Sequence, residues 1–217
     1  MIDVRTTRHQ MVEQQVRAWS VLDLKVLEVM DSIAREQFVP TAFRDVAYAD
    51  MSVPLGHGQS MLAPKVEGRI LQSLAIQPRD RVLEIGTGSG YFAACLAQLA
   101  RSVRSIEIVQ ELADTARSNL ERNEVRSVTV ELGDAMTLGE EATYDVIAVT
   151  GSLPLYDERF QQALRIGGRL FVVVGQAPVM EAWKVTRVGE REWQRESLFE
   201  TVLAPLMNAP RPSAFVF

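Results

Sequence analysis

Three short segments of this chain join an acidic side chain to small or backbone-exposing residues, and their types suit a ligand that carries both a nucleoside and positive charge. The first is Arg81-Val82-Leu83-Glu84-Ile85-Gly86-Thr87-Gly88-Ser89-Gly90-Tyr91, an apolar run that ends in an acid and breaks into alternating glycines. Glycines 86, 88 and 90 allow positive φ and a close approach of backbone to ligand, where a Cβ would collide. A dinucleotide fingerprint needs its third glycine one place later, and Tyr91 stands there. The second segment, Ser105-Ile106-Glu107, ends a run with strand character. Its acid can accept from both hydroxyls of a ribose, or simply face water at a strand end. The third, Gly133-Asp134-Ala135, offers a carboxylate to the exocyclic amino group of adenine, or forms an ordinary Gly-Asp turn. Glu84 is an acid at the end of an apolar strand, costly there unless paired. It can help hold a cationic amino-acid tail, directly or through water, or accept from nearby backbone N–H groups.

Taken together these features point to S-adenosylmethionine, whose sulfonium and amino group are both cationic. The expected cofactor set is Glu84, Gly86, Thr87, Gly88, Ser89, Gly90, Glu107, Ile108, Asp134 and Ala135. With one cysteine (Cys95) and two histidines (His9, His57), a Cys/His metal site is not expected and no internal disulfide can form. A formal charge of −5 with both signs scattered argues against a nucleic-acid-binding surface. No apolar run approaches the roughly 20 residues that cross a bilayer, so no membrane association and a cytoplasmic location are expected.

The elements that must position these residues alternate. Strands are expected near 81–85, 103–107, 127–131, 144–150 and 168–174, with helices near 90–100, 110–123 and 156–165. Their runs of Val, Ile and Leu suit strands covered on both faces, which is the pattern of an α/β, doubly wound, Rossmann-like sheet. Ligands gather at the carboxyl ends of such strands. Beyond Gly175, residues 183–188 and 198–203 read as antiparallel edge strands turning at Gly189. Ahead of the sheet, apolar spacing predicts a helix over 4–19, a second helix capped by Asp23, and a helix from Pro64 to about residue 74. Residues 40–64 read as an ordered loop region with a short strand pair. The 217 residues form a single expected domain: residues 1–75 supply N-terminal helices and a substrate loop, and residues 76–217 the cofactor core and C-terminal strands.

Over nearly its whole length the chain resembles the protein-L-isoaspartate O-methyltransferase family. The resemblance is carried by Arg35-Glu36-Gln37-Phe38-Val39-Pro40, Ala47-Tyr48-Ala49-Asp50, Pro54-Leu55-Gly56-His57-Gly58-Gln59-Ser60, residues 82–91, Gly133-Asp134, Gly167-Gly168-Arg169-Leu170 and Ala204-Pro205-Leu206. It implies transfer of a methyl group from S-adenosylmethionine to the α-carboxylate of isoaspartyl residues in damaged proteins or peptides, by a monomer or homodimer. It also exposes a departure. The family follows Gly-x-Gly-Gln with Thr-Ile-Ser and, one residue later, Pro, and the serine hydroxyl lies beside the accepting carboxylate. Here the run is Ser60-Met61-Leu62-Ala63-Pro64, and Leu62 can neither donate nor accept a hydrogen bond. Ser60, Gln59 and His57 are therefore the candidate acceptor-positioning residues, with two alternatives open: Ser60 as a helix cap ahead of Pro64, and His57 bonded to its own loop. A relative with another carboxylate or small-molecule acceptor, or an inactive binding scaffold, fits the same cofactor half.

Overall fold

A computed structural model describes residues 3–212. Helix α1 (Val4–Met11) starts at Asp3, whose side chain accepts from the Arg5 N–H, and runs on through a π-helical turn (Val12–Val16) and a 3₁₀ turn (Arg17–Trp19). Helix α2 (Leu24–Ser32) is capped by Asp23, which accepts from the Lys25 N–H at 2.9 Å. The loop that follows holds a two-stranded hairpin, β1 (Val53–Gly56) and β2 (Gln59–Met61). Its turn places His57 and Gly58 both at positive φ, the pattern that two-residue hairpin loops favour. Pro64 opens helix α3 (Pro64–Leu74), where its missing N–H costs nothing.

The main sheet follows as β3 (Arg81–Ile85), α4 (Tyr91–Leu99), β4 (Ser102–Glu107), α5 (Gln110–Arg122), β5 (Val128–Leu132), β6 (Tyr144–Leu153), α6 (Glu158–Gln162), β7 (Leu164–Gln176), β8 (Val179–Gly189) and β9 (Glu192–Glu200). Its seven strands lie in the order β5-β4-β3-β6-β7-β8-β9. The first five pair in parallel; β8 and β9 are antiparallel additions. Alternate residues of the central strands feed opposite faces. Val82, Val146, Ala148 and Phe171 join the core beneath α1 to α4, while Leu83, Ile85, Ile147, Val149 and Leu170 join a second core that includes Phe160 of α6.

Two expectations are corrected. The last strand occupies residues 192–200 rather than 198–203, because pairing resumes directly after the turn with Gly189 opposite Glu192. An outer strand with one neighbour buries little, so its sequence (Glu192-Trp193-Gln194-Arg195-Glu196) carries no apolar alternation to read. The helix expected over 156–165 is only Glu158–Gln162, since β7 already pairs at Leu164 with Tyr144.

Helix α3 sits tightly on the N-terminal segment through Gly68. A Cβ added there would meet Val16 Cγ1 at 2.5 Å and Val21 Cγ2 at 3.2 Å. Gly68→Ala gains about 1 kcal/mol of helix propensity, but forcing a methyl into this packed seam costs about 1–3 kcal/mol. Urea unfolding of the variant is expected to show a net loss of stability.

Candidate active site

The chain adds β4 and β5 on one side of β3 and then returns to place β6 on the other. Between the carboxyl ends of β3 and β6 it leaves a cleft of about 840 Å³, counted to its open mouth. One wall is the glycine loop. Gly86, Gly88 and Gly90 have φ of +92°, +54° and +85°. A Cβ at Gly86 would lie 2.5 Å from Thr150 Oγ1, and one at Gly88 would lie 3.0 Å from Leu55 Cδ1. Thr150, near the end of β6, lies 2.9 and 2.8 Å from the Ile85 and Gly86 carbonyls and donates its hydroxyl there.

Glu107 closes the loop from beneath. Its Oε2 accepts from the Gly88 N–H at 2.9 Å, and its Oε1 accepts from the Ile108 and Val109 N–H groups at 3.0 Å each. Three of a carboxylate's roughly four acceptor positions are thus taken. One stays open to a ligand hydroxyl, and a second ribose hydroxyl requires release of a backbone N–H. Asp134 lines the cleft and also serves as a turn residue: Oδ1 accepts from the Met136 N–H at 2.8 Å and Oδ2 from Asn208 Nδ2 at 2.9 Å. Gly86, Gly88, Glu107, Ile108, Asp134 and Ala135 all line the cleft, and Thr87 and Ser89 line a small recess that continues from it under the loop. Gly90 caps α4 and packs on α5, where a Cβ would lie 3.3 Å from the Ala116 carbonyl.

Glu84 departs from expectation. It is fully buried and lines neither the cleft nor the recess. Its Oε2 accepts from Ser105 Oγ on the neighbouring strand, Ser105 Oγ lies 2.6 Å from Thr87 Oγ1, and Glu84 Oε1 has no partner among the described residues. The acid is therefore tied to the loop through two hydroxyls, whereas Glu107 and Asp134 line the cleft. Burial pushes its carboxyl up to about 8, against the pull of the Ser105 hydrogen bond and with the charges of Glu107 and Glu67 adding to the rise.

The opposite wall is the β1–β2 hairpin with Ser52, Leu55, Gln59, Ser60 and Leu62. Ser60 does not cap α3; the cap position is Ala63. His57 sits at the tip of the hairpin turn, half exposed, with Nε2 3.9 Å from Glu111, and it does not line the cleft. A third wall was illegible in the sequence: an extended strap containing Val202, Leu203, Ala204, Leu206 and Met207. It is bonded to Ser152, whose N–H donates to the Ala204 carbonyl and whose carbonyl accepts from the Leu206 N–H, both at 2.9 Å. Gly151 makes room for it, because a Cβ there would lie 2.7 Å from Leu206 Cδ2.

The family model for protein-L-isoaspartate(D-aspartate) O-methyltransferase matches residues 6–210. The chain belongs to this family. A protein-L-isoaspartate O-methyltransferase 2 of Marinobacter nauticus is 39% identical over 209 residues, covering 95% of each chain. A protein-L-isoaspartate O-methyltransferase of Methanoculleus marisnigri is 41% identical over 200 residues, covering 91% of this chain and 87% of the relative. The fold matches that of a Plasmodium falciparum protein described as a protein-L-isoaspartate O-methyltransferase and crystallised with S-adenosyl-L-homocysteine. That pair superposes with a TM-score of 0.81 at 20% identity, covering 92% of this chain and 97% of the other. The family is one of methyltransferases that use S-adenosylmethionine, and the cleft suits that cofactor on its own terms. Among the described residues its lining includes the carboxylates of Glu107 and Asp134 and no Lys, Arg or His, and a Cβ at Gly86 or Gly88 would crowd Thr150 or Leu55.

Two outcomes follow from this geometry. Gly86→Ala strains a residue at φ +92° and drives a methyl into the Thr150 hydroxyl. Calorimetric titration with S-adenosylhomocysteine is expected to show at least a roughly tenfold loss of affinity. For Glu84, the folded state binds the proton more tightly than the unfolded chain. Its stabilising contribution is therefore full below the ordinary value of 4.5 and is lost as pH rises through about 8. Glu84→Gln removes this dependence. Urea unfolding across that range should show the variant gaining on the parent by on the order of a few kcal/mol toward high pH.

Proposed function

We propose that this protein methylates the carboxylate of isoaspartyl residues in proteins or peptides, with S-adenosylmethionine as donor. The observation that carries this reading is the placing of a neutral, hydroxyl-bearing hairpin wall (Gln59, Ser60) directly across the cleft from the glycine loop and its acids, in a chain of this family.

When bound, S-adenosylmethionine supplies an electrophilic methyl group, which a carboxylate oxygen takes while the C–S electron pair stays on sulfur. The residues that would hold it are the glycine loop, Glu107 and Asp134. A carboxylate acceptor is already ionised at neutral pH, so the chain need not provide a general base, and the absence of histidine from the cleft is consistent with that. The work left to the protein is alignment and exclusion of water. Ser60 and Gln59 line the cleft and are the donors available to the acceptor, and the strap residues Leu203 and Leu206 add apolar surface on the far side.

Leu62 is the residue that tunes this activity. It is buried, it lines both the cleft and the recess, and it replaces the family's serine hydroxyl with an isobutyl group. Loss of one positioning donor is expected to cost on the order of 10²–10³ in rate. Leu62→Ser is accordingly expected to raise turnover on an isoaspartyl peptide, read as S-adenosylhomocysteine released and base-labile methyl ester formed. If neither the parent chain nor Leu62→Ser esterifies the peptide while both bind S-adenosylhomocysteine, the acceptor is a different molecule.

A further inference from the structure

One side chain outside the cleft touches segments of both of its walls. Arg35 is wholly buried, a state that a guanidinium tolerates only when paired and fully bonded. Its Nη1 donates to Glu67 Oε2 of α3, itself buried, so the charge is balanced within the core. Its other two nitrogens each donate once to a backbone carbonyl. Nε donates to the Ala47 carbonyl at 2.9 Å and Nη2 to the Leu62 carbonyl at 2.6 Å. Those two carbonyls bracket residues 47–62, the segment that contains the β1–β2 hairpin with Ser52, Gln59 and Ser60. The guanidinium also lies over the Tyr91 ring, 4.7 Å from its centroid, and Tyr91 is the first residue after the glycine loop.

We infer that Arg35 is a positioning residue for methyl transfer: one rigid donor fork clamps both ends of the acceptor hairpin and, through Tyr91, sets that hairpin against the cofactor loop. The fork is planar, so its three bonding directions are fixed relative to one another. Moving one carbonyl shifts the other or breaks a bond. Lysine, a point charge on a flexible stem, cannot hold both carbonyls and Glu67 in one plane. Glu67 contributes by keeping the cation in place; burial pushes its carboxyl up to about 7 against the pull of Arg35. Other ties hold the start of this segment without Arg35: Lys65 Nζ to Asp50 at 2.6 Å and Gln15 Nε2 to the Tyr48 carbonyl at 2.8 Å.

The inference concerns the hairpin's placement and gains its catalytic meaning from the methyl-transfer reading, so the test separates the two. The variants are Arg35→Lys and the double replacement Arg35→Met with Glu67→Leu, in which an apolar pair of similar size takes the place of the buried ion pair and preserves the fold. Both are compared with the parent by three measurements: calorimetry with S-adenosylhomocysteine, hydrogen exchange of backbone amides, and steady-state kinetics on an isoaspartyl peptide. The expected result is an affinity for S-adenosylhomocysteine within about threefold of the parent and faster exchange confined to residues 47–62, with residues 82–91 unchanged. kcat is expected to fall by about 10²-fold, the scale set by a misplacement of about 1 Å. Parental exchange in residues 47–62 of the double variant overturns the inference, as does parental kcat. So does a loss of S-adenosylhomocysteine binding as large as the loss of kcat, which marks a general packing role. If the parent chain itself does not esterify the peptide, the functional reading fails, and the exchange measurement alone decides whether Arg35 clamps the hairpin.

Discussion

A parallel sheet that grows outward from one strand and then returns to build on its other side cannot cover the junction with a helix, and everything functional in this molecule follows from that constraint. The chain leaves β3 to form β4 and β5, then re-enters as β6 on the opposite flank. The connections after β3 and β6 diverge, so the carboxyl ends of these two strands face an open crevice. The glycine loop, Glu107 and Asp134 follow β3, β4 and β5 in turn, and Thr150 closes the set from β6. Three acidic signals far apart in sequence are neighbours because parallel pairing puts the ends of successive strands side by side: Ile85 pairs with Ile106, and Glu107 with Leu132.

The crevice would be useless if its loop were slack, and the loop is held by a buried polar column. Glu84, Ser105 and Thr87 form a chain of hydroxyl and carboxyl groups at the β3–β4 seam, and Glu107, two residues beyond Ser105 on β4, holds the Gly88 N–H. Such a column is costly to bury with one oxygen unpartnered. A proton on Glu84 relieves much of that cost, because a neutral carboxyl loses far less on leaving water than an anion does. The rise in its pKa and the rigidity of the cradle thus have one origin, an acid enclosed by the loop it supports.

The sheet could be read from the sequence because its signals are local: apolar runs for strands covered on both faces, glycine where φ must be positive, Asp23 and Pro64 at helix starts. The glycine loop, Glu107 and Asp134, which line the cleft, carry local marks of the same kind, whereas the burial of Glu84 does not show in the sequence, because its partner Ser105 comes from the adjacent strand. What lay hidden depends on long-range contacts. Asn208 meets Asp134 across 74 positions, and the strap from Val202 to Met207 is held by Ser152. The strap's apolar residues resemble a strand in sequence, and its actual course is set by the space that Gly151 leaves beside β6. Arg35 stood within a segment that matched the family, but a lone arginine before a loop gives no hint of which carbonyls it will reach.

The distribution of charge gives the two halves of the cleft different tasks. Glu107 and Asp134 line the half of the cleft beside the glycine loop, and among the described residues no cationic side chain lines it. Arg35, bonded to the Leu62 carbonyl of the hairpin wall, is buried and paired with Glu67. An anionic acceptor therefore meets no fixed positive charge from this chain. In the proposed reaction its attraction to the site comes from the bound sulfonium and from neutral donors, the role proposed for Ser60 and Gln59. This arrangement favours order in binding: an empty cleft lined by carboxylates repels a carboxylate, and the cationic cofactor reverses the local field before an acceptor can settle. After transfer the donor is a neutral thioether and the acceptor a neutral ester, so the attraction that brought the two together is gone and both products are free to leave.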